Sequence, residues 1–191
     1  MAAGYRRLSL SDQLLELALE RARSLPIFDF SHRKAEANLV GCIGEVVFEA
    51  FLKHHGVEFR DDTTSTKRDY LIARNLTLDV KTKDRTVPPR LDYENSVPLY
   101  NHVHQRPGYY YFVSLRRDGP SNSPDPRNYK EAYLLGGIAL TELDAVAVHR
   151  KKDEVDTSNG TRFWTDCLNV RMDQLRSNAE MLEIFRGAQR G

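Results

Sequence analysis

The chain opens with two stretches in which apolar residues recur at helical spacing. Leucines alternate with charged residues over 14–23, after a candidate N-cap at Ser11 or Asp12, and this pattern predicts an amphipathic helix. The second stretch, about 32–55, is apolar nearly all round a helical wheel. We therefore predict that the second helix is sandwiched in the interior and that Gly56 is its C-cap.

The middle of the chain alternates in a way that is typical of β-strands. Over 76–81 the apolar residues Leu76, Leu78 and Val80 would lie on one face of a strand, with polar residues on the other face. Helices before and after a run of strands indicate an α/β fold with a mixed central β-sheet flanked by helices. The remaining predicted elements are strands at 57–59, 70–72, 109–115, 133–140 and 145–149 and a closing helix at 172–186.

Residues 84–108 interrupt this pattern with four prolines and little periodicity. The regular element expected there is a short helix over 97–105, with Pro98 in its first turn. A stretch of this length is more typical of a functional excursion than of a connector. We interpret 1–191 as one domain, with 1–30 as an N-terminal helical extension and 84–108 as an insert near the substrate.

Composition excludes several classes of protein. An apolar fraction of 40% and a charged fraction of 29% over 191 residues fit a globular domain and exclude disorder and collagen-like repeats. The 28 basic residues nearly balance the 27 acidic ones. Net charge therefore provides no bulk attraction to nucleic acid or to a membrane surface, and any such contact must come from local clustering.

The two cysteines and the apolar runs bear on the compartment. Cys42 lies inside an apolar helical pattern, Cys167 is far away, and no C-x-x-C spacing links them. The N-terminus lacks the apolar region of a signal peptide, and no apolar run approaches the roughly 18 residues that span a bilayer. We expect reduced thiols, no membrane partner and a cytoplasmic location, which would be the host cytoplasm if a phage encodes the protein.

The string Asp79-Val80-Lys81 puts an acid and a lysine two residues apart on the polar face of a predicted strand. This spacing places the carboxylate and the ammonium group side by side. Asp69 directly precedes the strand at 70–72, so its carboxylate can converge on Asp79 if the two strands are neighbours. Two carboxylates suit Mg²⁺, which prefers oxygen ligands and keeps positions open for water and for a phosphate oxygen.

A further acid, Glu45, lies on the helix that we predict to be buried. A carboxylate is costly to bury there unless it binds a cation or finds a strong partner. Glu45 is therefore a candidate fourth member of the site. Glu49, one turn further on, is the alternative if the helix is rotated.

This constellation resembles the PD-(D/E)XK nuclease superfamily, also called the restriction-endonuclease-like fold. The resemblance covers about 39–83, and it departs from the family pattern at Arg68, where many members have a proline before the first acid. The matching residues are Glu45 in Gly44-Glu45-Val46-Val47-Phe48, Asp69 in Lys67-Arg68-Asp69-Tyr70, and Asp79-Val80-Lys81.

The resemblance implies a role for each matching residue. Asp69, Asp79 and Glu45 would be metal ligands for Mg²⁺, with Mn²⁺ able to substitute, and Lys81 would orient the attacking water. Phosphodiester hydrolysis needs these parts, because a cation must neutralise the charge that develops on phosphorus while another group polarises a water.

The acid-x-lysine string has little specificity on its own. Roughly one match is expected by chance from 27 acids and eight lysines in 191 positions, and one is found. Its value comes from its context, an alternating strand with an acid ten residues upstream and a glutamate on a buried helix. The structural alternative stays open: Asp79 and Lys81 would be a surface ion pair, Asp69 a turn acid, and Glu45 would reach solvent or an arginine.

Basic residues cluster around the candidate site. Eight bases and five acids fall within 60–90, a local balance of +3. Contacts from these bases to a phosphate backbone would depend on salt. The candidate nucleic-acid-binding residues are Lys67, Arg68, Lys83, Arg85 and Arg90.

These observations favour a metal-dependent DNA endonuclease. Double-stranded DNA is the expected partner, and by the resemblance the chain would act as a homodimer or a higher homo-oligomer. A non-catalytic nucleic-acid-binding or assembly protein on the same fold is the alternative from a different class. An exonuclease or a junction resolvase of the same superfamily is a further alternative.

Overall fold

Four helices and nine strands make up the parts of the chain that the structure, a computed structural model, describes: residues 4–25, 34–63, 68–99, 106–119, 125–156, 160 and 162–190. The helices are α1 (Asp12–Ser24), α2 (Lys34–His54), α3 (Leu140–Val146) and α4 (Asn178–Arg190). The strands are β1 (Arg6–Ser9), β2 (Phe59–Asp61), β3 (Tyr70–Ile72), β4 (Leu76–Arg85), β5 (Glu94–Pro98), β6 (Tyr109–Arg117), β7 (Tyr129–Ala139), β8 (Val148–Arg150) and β9 (Cys167–Arg171).

The N-terminal segment combines the predicted helix with a strand. Ser11 Oγ accepts a hydrogen bond from the N–H of Leu14 at 3.3 Å and so caps α1. Ahead of this cap, β1 pairs antiparallel with β7. The strand corrects the prediction that 1–30 is a helical extension. It escaped prediction because its two arginines leave no alternation of apolar and polar residues.

Helix α2 is buried nearly all round, as predicted. Side chains such as Ile43 and Val47 on one side and Phe48 and Leu52 on another are fully enclosed. Ala50 departs from the predicted apolar face, since it is exposed. Gly56 follows the helix with a φ of +66°, a left-handed conformation that glycine adopts without steric cost.

The strands form two sheets. The larger sheet has six strands in the order β1-β7-β6-β4-β3-β2, and the smaller has three in the order β5-β9-β8. Within the larger sheet β4 and β6 are parallel, whereas the other neighbours are antiparallel. This arrangement confirms the predicted α/β class with a mixed central sheet flanked by helices.

Each face of the larger sheet contributes to a separate hydrophobic core. On one face, α1, α2 and α4 pack against side chains that include Leu78 and Val80 of β4 and Tyr111 of β6. On the other face, Tyr110 and Phe112 of β6 pack with α3 and the small sheet. The alternation along β6 thus sends neighbouring residues to opposite cores.

Strand β4 carries the candidate chemistry on the face turned away from α1, α2 and α4. Leu78 and Val80 belong to the helix-side core, so Asp79 and Lys81 point toward the small sheet. The predicted alternation is confirmed, but the polar face is not solvated, since Asp79 is 1% exposed. The strand continues to Arg85, four residues beyond its predicted end.

The insert predicted at 84–108 is partly regular structure. Its first two residues belong to β4, and β5 pairs antiparallel with β9 in the small sheet. The helix predicted over 97–105 is therefore wrong at Val97 and Pro98, which lie in β5. Residues 100–105 of that prediction lie outside the described residues.

Two elements near the C-terminus also differ from prediction. Helix α3 takes only the first two residues of the strand predicted at 145–149, because the Glu142 carboxylate accepts a hydrogen bond from the N–H of Ala139 at 3.2 Å and starts a helix there. Val148 and His149 lie in a strand, β8, as predicted. The closing helix begins later than predicted, at Asn178, after a short 3-10 turn at Met172–Gln174.

None of the helices within the described ranges has the length and apolarity that a bilayer crossing requires. The two cysteines are buried, and neither forms a disulfide. Burial raises the pKa of the Cys42 thiol to about 12 and that of Cys167 to about 11. Both side chains therefore stay protonated at neutral pH and act as small apolar groups.

Candidate active site

Asp69 and Asp79 lie opposite each other on neighbouring strands. Tyr70 pairs with Leu78 in the antiparallel register of β3 and β4, and the N–H of Asp69 donates to the Leu78 carbonyl at 3.1 Å. Asp69 therefore extends this ladder by one step, to the level of Asp79. The convergence that the sequence predicts for these two carboxylates is present in the structure.

The side chain of Asp69 ends the pairing between the two strands. Its Oδ2 accepts a hydrogen bond from the N–H of Val80 at 2.7 Å. This bond satisfies a backbone donor on the edge of β4 that β3 is too short to reach. It also fixes the Asp69 carboxylate in place beside Asp79.

Lys81 completes this arrangement. Its Nζ lies 2.5 Å from Asp79 Oδ2, with Asp79 almost fully enclosed and the lysine side chain 24% exposed. The ammonium group therefore bridges the buried carboxylate and the cleft in front of it. We refer to Asp69, Asp79 and Lys81 as the acid-lysine cluster.

The electrostatics of the cluster follow from the two neighbouring carboxylates. Burial raises the pKa of Asp69 well above its usual range, and the charge and hydrogen bonding of Asp79 raise it further. The charge of Lys81 opposes this shift. Burial and the charge of Asp79 also raise the pKa of Tyr110, its neighbour on β6, to about 12. The two carboxylates thus disfavour each other's charged forms, and a cation bound between them would favour the charged form of both.

Glu45 is not brought into the acid-lysine cluster. It belongs to α2, on the helix side of the sheet, where its Oε2 lies 3.4 Å from Arg21 Nη1 of α1. Burial raises the pKa of Glu45, and the charge of Arg21 opposes that shift. The charge of Glu45 still raises the pKa of Asp69, so the two carboxylates are close enough to interact electrostatically.

The alternative helix acid, Glu49, is also held by α1. Its Oε1 accepts hydrogen bonds from Arg21 Nη1 at 2.7 Å and from the Tyr70 hydroxyl at 3.0 Å. Burial lowers the pKa of Arg21, but the hydrogen bond to Glu49 and the charge of Glu49 raise the pKa of Arg21 by more. Glu49 thus anchors α1 to α2 and to β3, and it does not extend the cluster.

The acid-lysine cluster fits a magnesium site in which the protein supplies only two carboxylates. In the described parts of the chain, no three of the His, Cys, Asp and Glu side chains come together as a metal-binding group. Asp69 and Asp79 supply two carboxylates, and Mg²⁺ is commonly held by one or two carboxylates with water and substrate phosphate in its other positions. The pair satisfies this requirement without Glu45.

A glycine places α2 close to β4 at the cluster. A Cβ added at Gly44 would lie 1.8 Å from the side-chain oxygen of Thr82. Gly44 precedes Glu45, and Thr82 follows Lys81, so this close approach sets the distance between the helix acid and the strand. Sequence alone did not reveal the contact, because it joins residues on separate elements.

The predicted nucleic-acid-binding residues take different positions. Arg68 Nε lies 2.8 Å from Asp62 Oδ2, and Arg90 is exposed on the surface, where it pairs with Asp92. Lys83 and Arg85 share the β4 face of Lys81 and line a cleft instead of an outer surface. Lys67 lies outside the described residues.

Comparison with known proteins adds no relative to this picture: no protein-family model, curated protein or solved structure matches the chain. The functional interpretation therefore depends on the geometry of the acid-lysine cluster and its surroundings.

Proposed function

We propose that this chain is a Mg²⁺-dependent phosphodiester hydrolase that cleaves DNA, built on a fold similar to that of the PD-(D/E)XK nucleases. The observation that carries this proposal is the juxtaposition of Asp69 and Asp79 on adjacent strands, with Lys81 Nζ 2.5 Å from Asp79. Two converging carboxylates beside a lysine at the mouth of a cleft are the parts that metal-assisted hydrolysis requires.

Each residue of the cluster has a separate task in this proposal. Asp69 and Asp79 would hold Mg²⁺, which supplies charge neutralisation at the phosphate when it is bound. The Val80 N–H holds Asp69 in place, so one carboxylate is positioned before any ligand binds. Asp79 holds the Lys81 ammonium by an ion pair, which positions this group to orient a water or to contact a phosphate oxygen.

We also propose Glu45 as a third ligand of Mg²⁺, which requires a change of its partner. It would have to exchange its ion pair with Arg21 for the metal ion. We propose that the endonuclease acts on double-stranded DNA as a homodimer or a higher homo-oligomer, since two active sites are needed to cut both strands.

The test is cleavage of supercoiled plasmid by the purified chain, with Mg²⁺ or with EDTA. Lys81→Ala and Asp79→Asn should each lower the cleavage rate by about 10²–10³-fold, because each removes charge stabilisation of the transition state. Matched controls are Lys130→Ala and Asp173→Asn, which change exposed residues of the same types and should leave the rate unchanged. Cleavage that survives both cluster substitutions would overturn the assignment.

A non-catalytic DNA-binding protein on the same fold is the second candidate. The ion pair of Glu45 with Arg21 favours it, because the helix acid is already satisfied by an arginine. Such a protein would bind plasmid and linear DNA in Mg²⁺ without cutting either. Nicking of closed circles indicates an endonuclease or a resolvase, whereas loss of linear ends alone indicates an exonuclease.

A further inference from the structure

A cleft separates the outer part of β4 from the small sheet. It consists of two cavities, of about 410 Å³ and about 740 Å³, whose linings share Lys83, Asp84 and Phe163. Lys81 lines the smaller cavity, so the cleft begins at the acid-lysine cluster. Cavities of this size hold molecules of a few hundred cubic ångströms, such as one or two nucleotides.

Two cations inside the cleft lack carboxylate partners. Among the described residues, neither Lys83 nor Arg85 has a carboxylate within ion-pairing distance, and Arg85 donates instead to the backbone carbonyl of Glu94 at 2.7 Å. Arg85 Nε is buried and has no hydrogen-bond partner in the described structure. Two such cations on one strand are costly to bury unless an anion joins them.

Two acids along the cleft are ion-paired with other arginines. Asp84 pairs with Arg117 at 2.9 Å, and Glu94 pairs with Arg150 at 2.9 Å. Asp156 also lines the larger cavity and, like Glu94, interacts electrostatically with Lys83. Lys83 and Arg85 still present two cationic groups to the cleft that are not ion-paired with a carboxylate of the described residues. The ligand that fits this interior carries negative charge, as a phosphodiester does.

The smaller cavity offers groups that suit a base. Trp164 lines it and is 44% exposed, so this aromatic residue lies between the cavity and the solvent. Asn95 also lines it and is 2% exposed, yet its side-chain nitrogen has no hydrogen-bond partner among the described residues. An aromatic surface next to a buried amide matches the flat, polar-edged shape of a nucleobase.

We propose that this cleft binds an unpaired stretch of DNA strand, with phosphates beside Lys83 and Arg85 and one base in the cavity of Trp164 and Asn95. A base-paired duplex cannot expose a base face to such a cavity, whereas a flap, a gap or a frayed end can. This proposal rests on the proposed function, because the strand would lead to Lys81 and the two aspartates. It narrows the proposed double-stranded substrate to DNA in which one strand is unpaired next to the cleaved bond, as happens locally in negatively supercoiled plasmid.

The sequence provides a reporter for this contact, because Trp164 is the single tryptophan of the chain. The experiment titrates the full chain in EDTA with a short single-stranded oligothymidylate or with a blunt duplex of equal length. Binding is followed by fluorescence anisotropy of labelled DNA and by tryptophan emission in parallel. We expect the single strand to quench Trp164 and to bind at least about fivefold more tightly than the duplex, as stacking of one base would produce.

Variants separate stacking from charge. Trp164→Ala should weaken single-strand binding at least about fivefold, and Trp164→Phe should retain most of it because the aromatic face is kept. Lys83→Gln should weaken binding and reduce its dependence on salt. Leu17→Ala is the matched control, since Leu17 is equally exposed on α1, across the sheet, and should bind as the unmodified chain does.

The proposal is overturned by single-strand binding that leaves Trp164 emission unchanged, or by a duplex that binds as tightly as the single strand. Absence of single-strand binding overturns it as well. Failure of the proposed function is distinguishable from these outcomes. If single strands quench Trp164 but no Mg²⁺-dependent cleavage occurs, the strand-binding proposal is supported and the nuclease proposal fails. If Trp164→Ala cleaves DNA with normal kinetics, the nuclease proposal is supported and the strand-binding proposal fails.

Discussion

Arg21 of α1 joins two glutamates of α2, with Nη1 at 3.4 Å from Glu45 Oε2 and at 2.7 Å from Glu49 Oε1. The arginine thus connects the docking of α1 to the position of the helix acid nearest the acid-lysine cluster. This link gives Glu45 a defined partner in the absence of a metal ion. It also makes the stability of the helical layer depend on one guanidinium group.

Replacement of Arg21 should therefore destabilise the fold. Arg21→Gln leaves two glutamates without their cation, and breaking such a part-buried network costs roughly 2–4 kcal/mol. Urea denaturation measures this loss. The control is Arg171→Gln, which breaks an exposed pair with Asp173 and should cost less than about 1 kcal/mol. Equal stability of the two variants would contradict the anchoring role of Arg21.

Two glycines on α2 allow a test of how closely this helix packs against β4. Gly44→Ala should destabilise the chain by about 1–3 kcal/mol, since the added Cβ would meet Thr82. Gly41→Ala is the matched control, because a Cβ there has nothing within 4 Å, and it should stabilise the helix by about 0.5–1 kcal/mol. The unfolding free energies should thus shift in opposite directions. A shift of the same sign at both positions would show that α2 does not approach β4 at Gly44.

The lowered pKa of Lys83 should make the stability of the fold depend on pH. Burial and the charge of Arg85 lower its pKa to about 8, while Cys167, Glu94 and Asp156 oppose the shift. Between pH 8 and 10.5 the unfolded chain binds more protons at this residue, so its contribution to stability rises with pH. Lys83→Met should therefore be more stable than the unmodified chain by about 3 kcal/mol at pH 7. This advantage should disappear near pH 10.5.

The comparison between the two chains isolates Lys83 from other groups that titrate in the same range. Tyrosines and cysteines that are buried in the folded chain also lose protons in this range when the chain unfolds, and their contribution is common to both chains. Unfolding by urea at pH 7 and pH 10 gives the difference directly. A difference that stays constant with pH would show that Lys83 is charged in the folded state throughout.

Magnesium should stabilise the folded chain through the two aspartates. A ligand at ten times its dissociation constant adds about 1.4 kcal/mol, which raises the melting temperature of a chain of this size by roughly 3–6 °C. Asp79→Asn should abolish this rise, and EDTA should reverse it in the unmodified chain. Asp173→Asn, at an exposed site, should keep it. An equal rise in Asp79→Asn would place the ion elsewhere.

The periodicity of apolar residues correctly predicted the elements whose formation depends on neighbouring residues in the sequence. Helix α2, β3 and the alternation of β4 follow from periodicity, and the same-face placement of Asp79 and Lys81 follows from strand geometry. The level of Asp69 beside Asp79 also followed, because a short antiparallel connection leaves few registers for the two strands.

The features that escaped prediction depend on distant residues. Strand β1 forms because β7 offers an edge, and its own sequence shows no alternation. Helix α3 lies mainly in the gap between the strands predicted at 133–140 and 145–149, and it begins at a cap by Glu142, whose carboxylate also pairs with Arg176. The partner of Glu45 could not be foreseen, because Arg21 looks like any charged residue on an amphipathic helix.

The cleft between the sheets is the clearest example of this limit. It exists because β5, which lies within the irregular 84–108 segment, pairs with β9 more than 60 residues later. The sequence identifies Lys83 and Arg85 only as members of a basic cluster, and that pairing places them inside a cleft. Long-range strand pairing leaves no signal in a single sequence.

The most direct test of the nuclease proposal is the rate of plasmid nicking by Lys81→Ala and the unmodified chain at saturating Mg²⁺. We expect nicking by the unmodified chain, none in EDTA, and a rate about 10²–10³-fold lower in Lys81→Ala, with Lys130→Ala unaffected. Equal rates in Lys81→Ala and the unmodified chain, or no cleavage of any DNA by the unmodified chain, would contradict it.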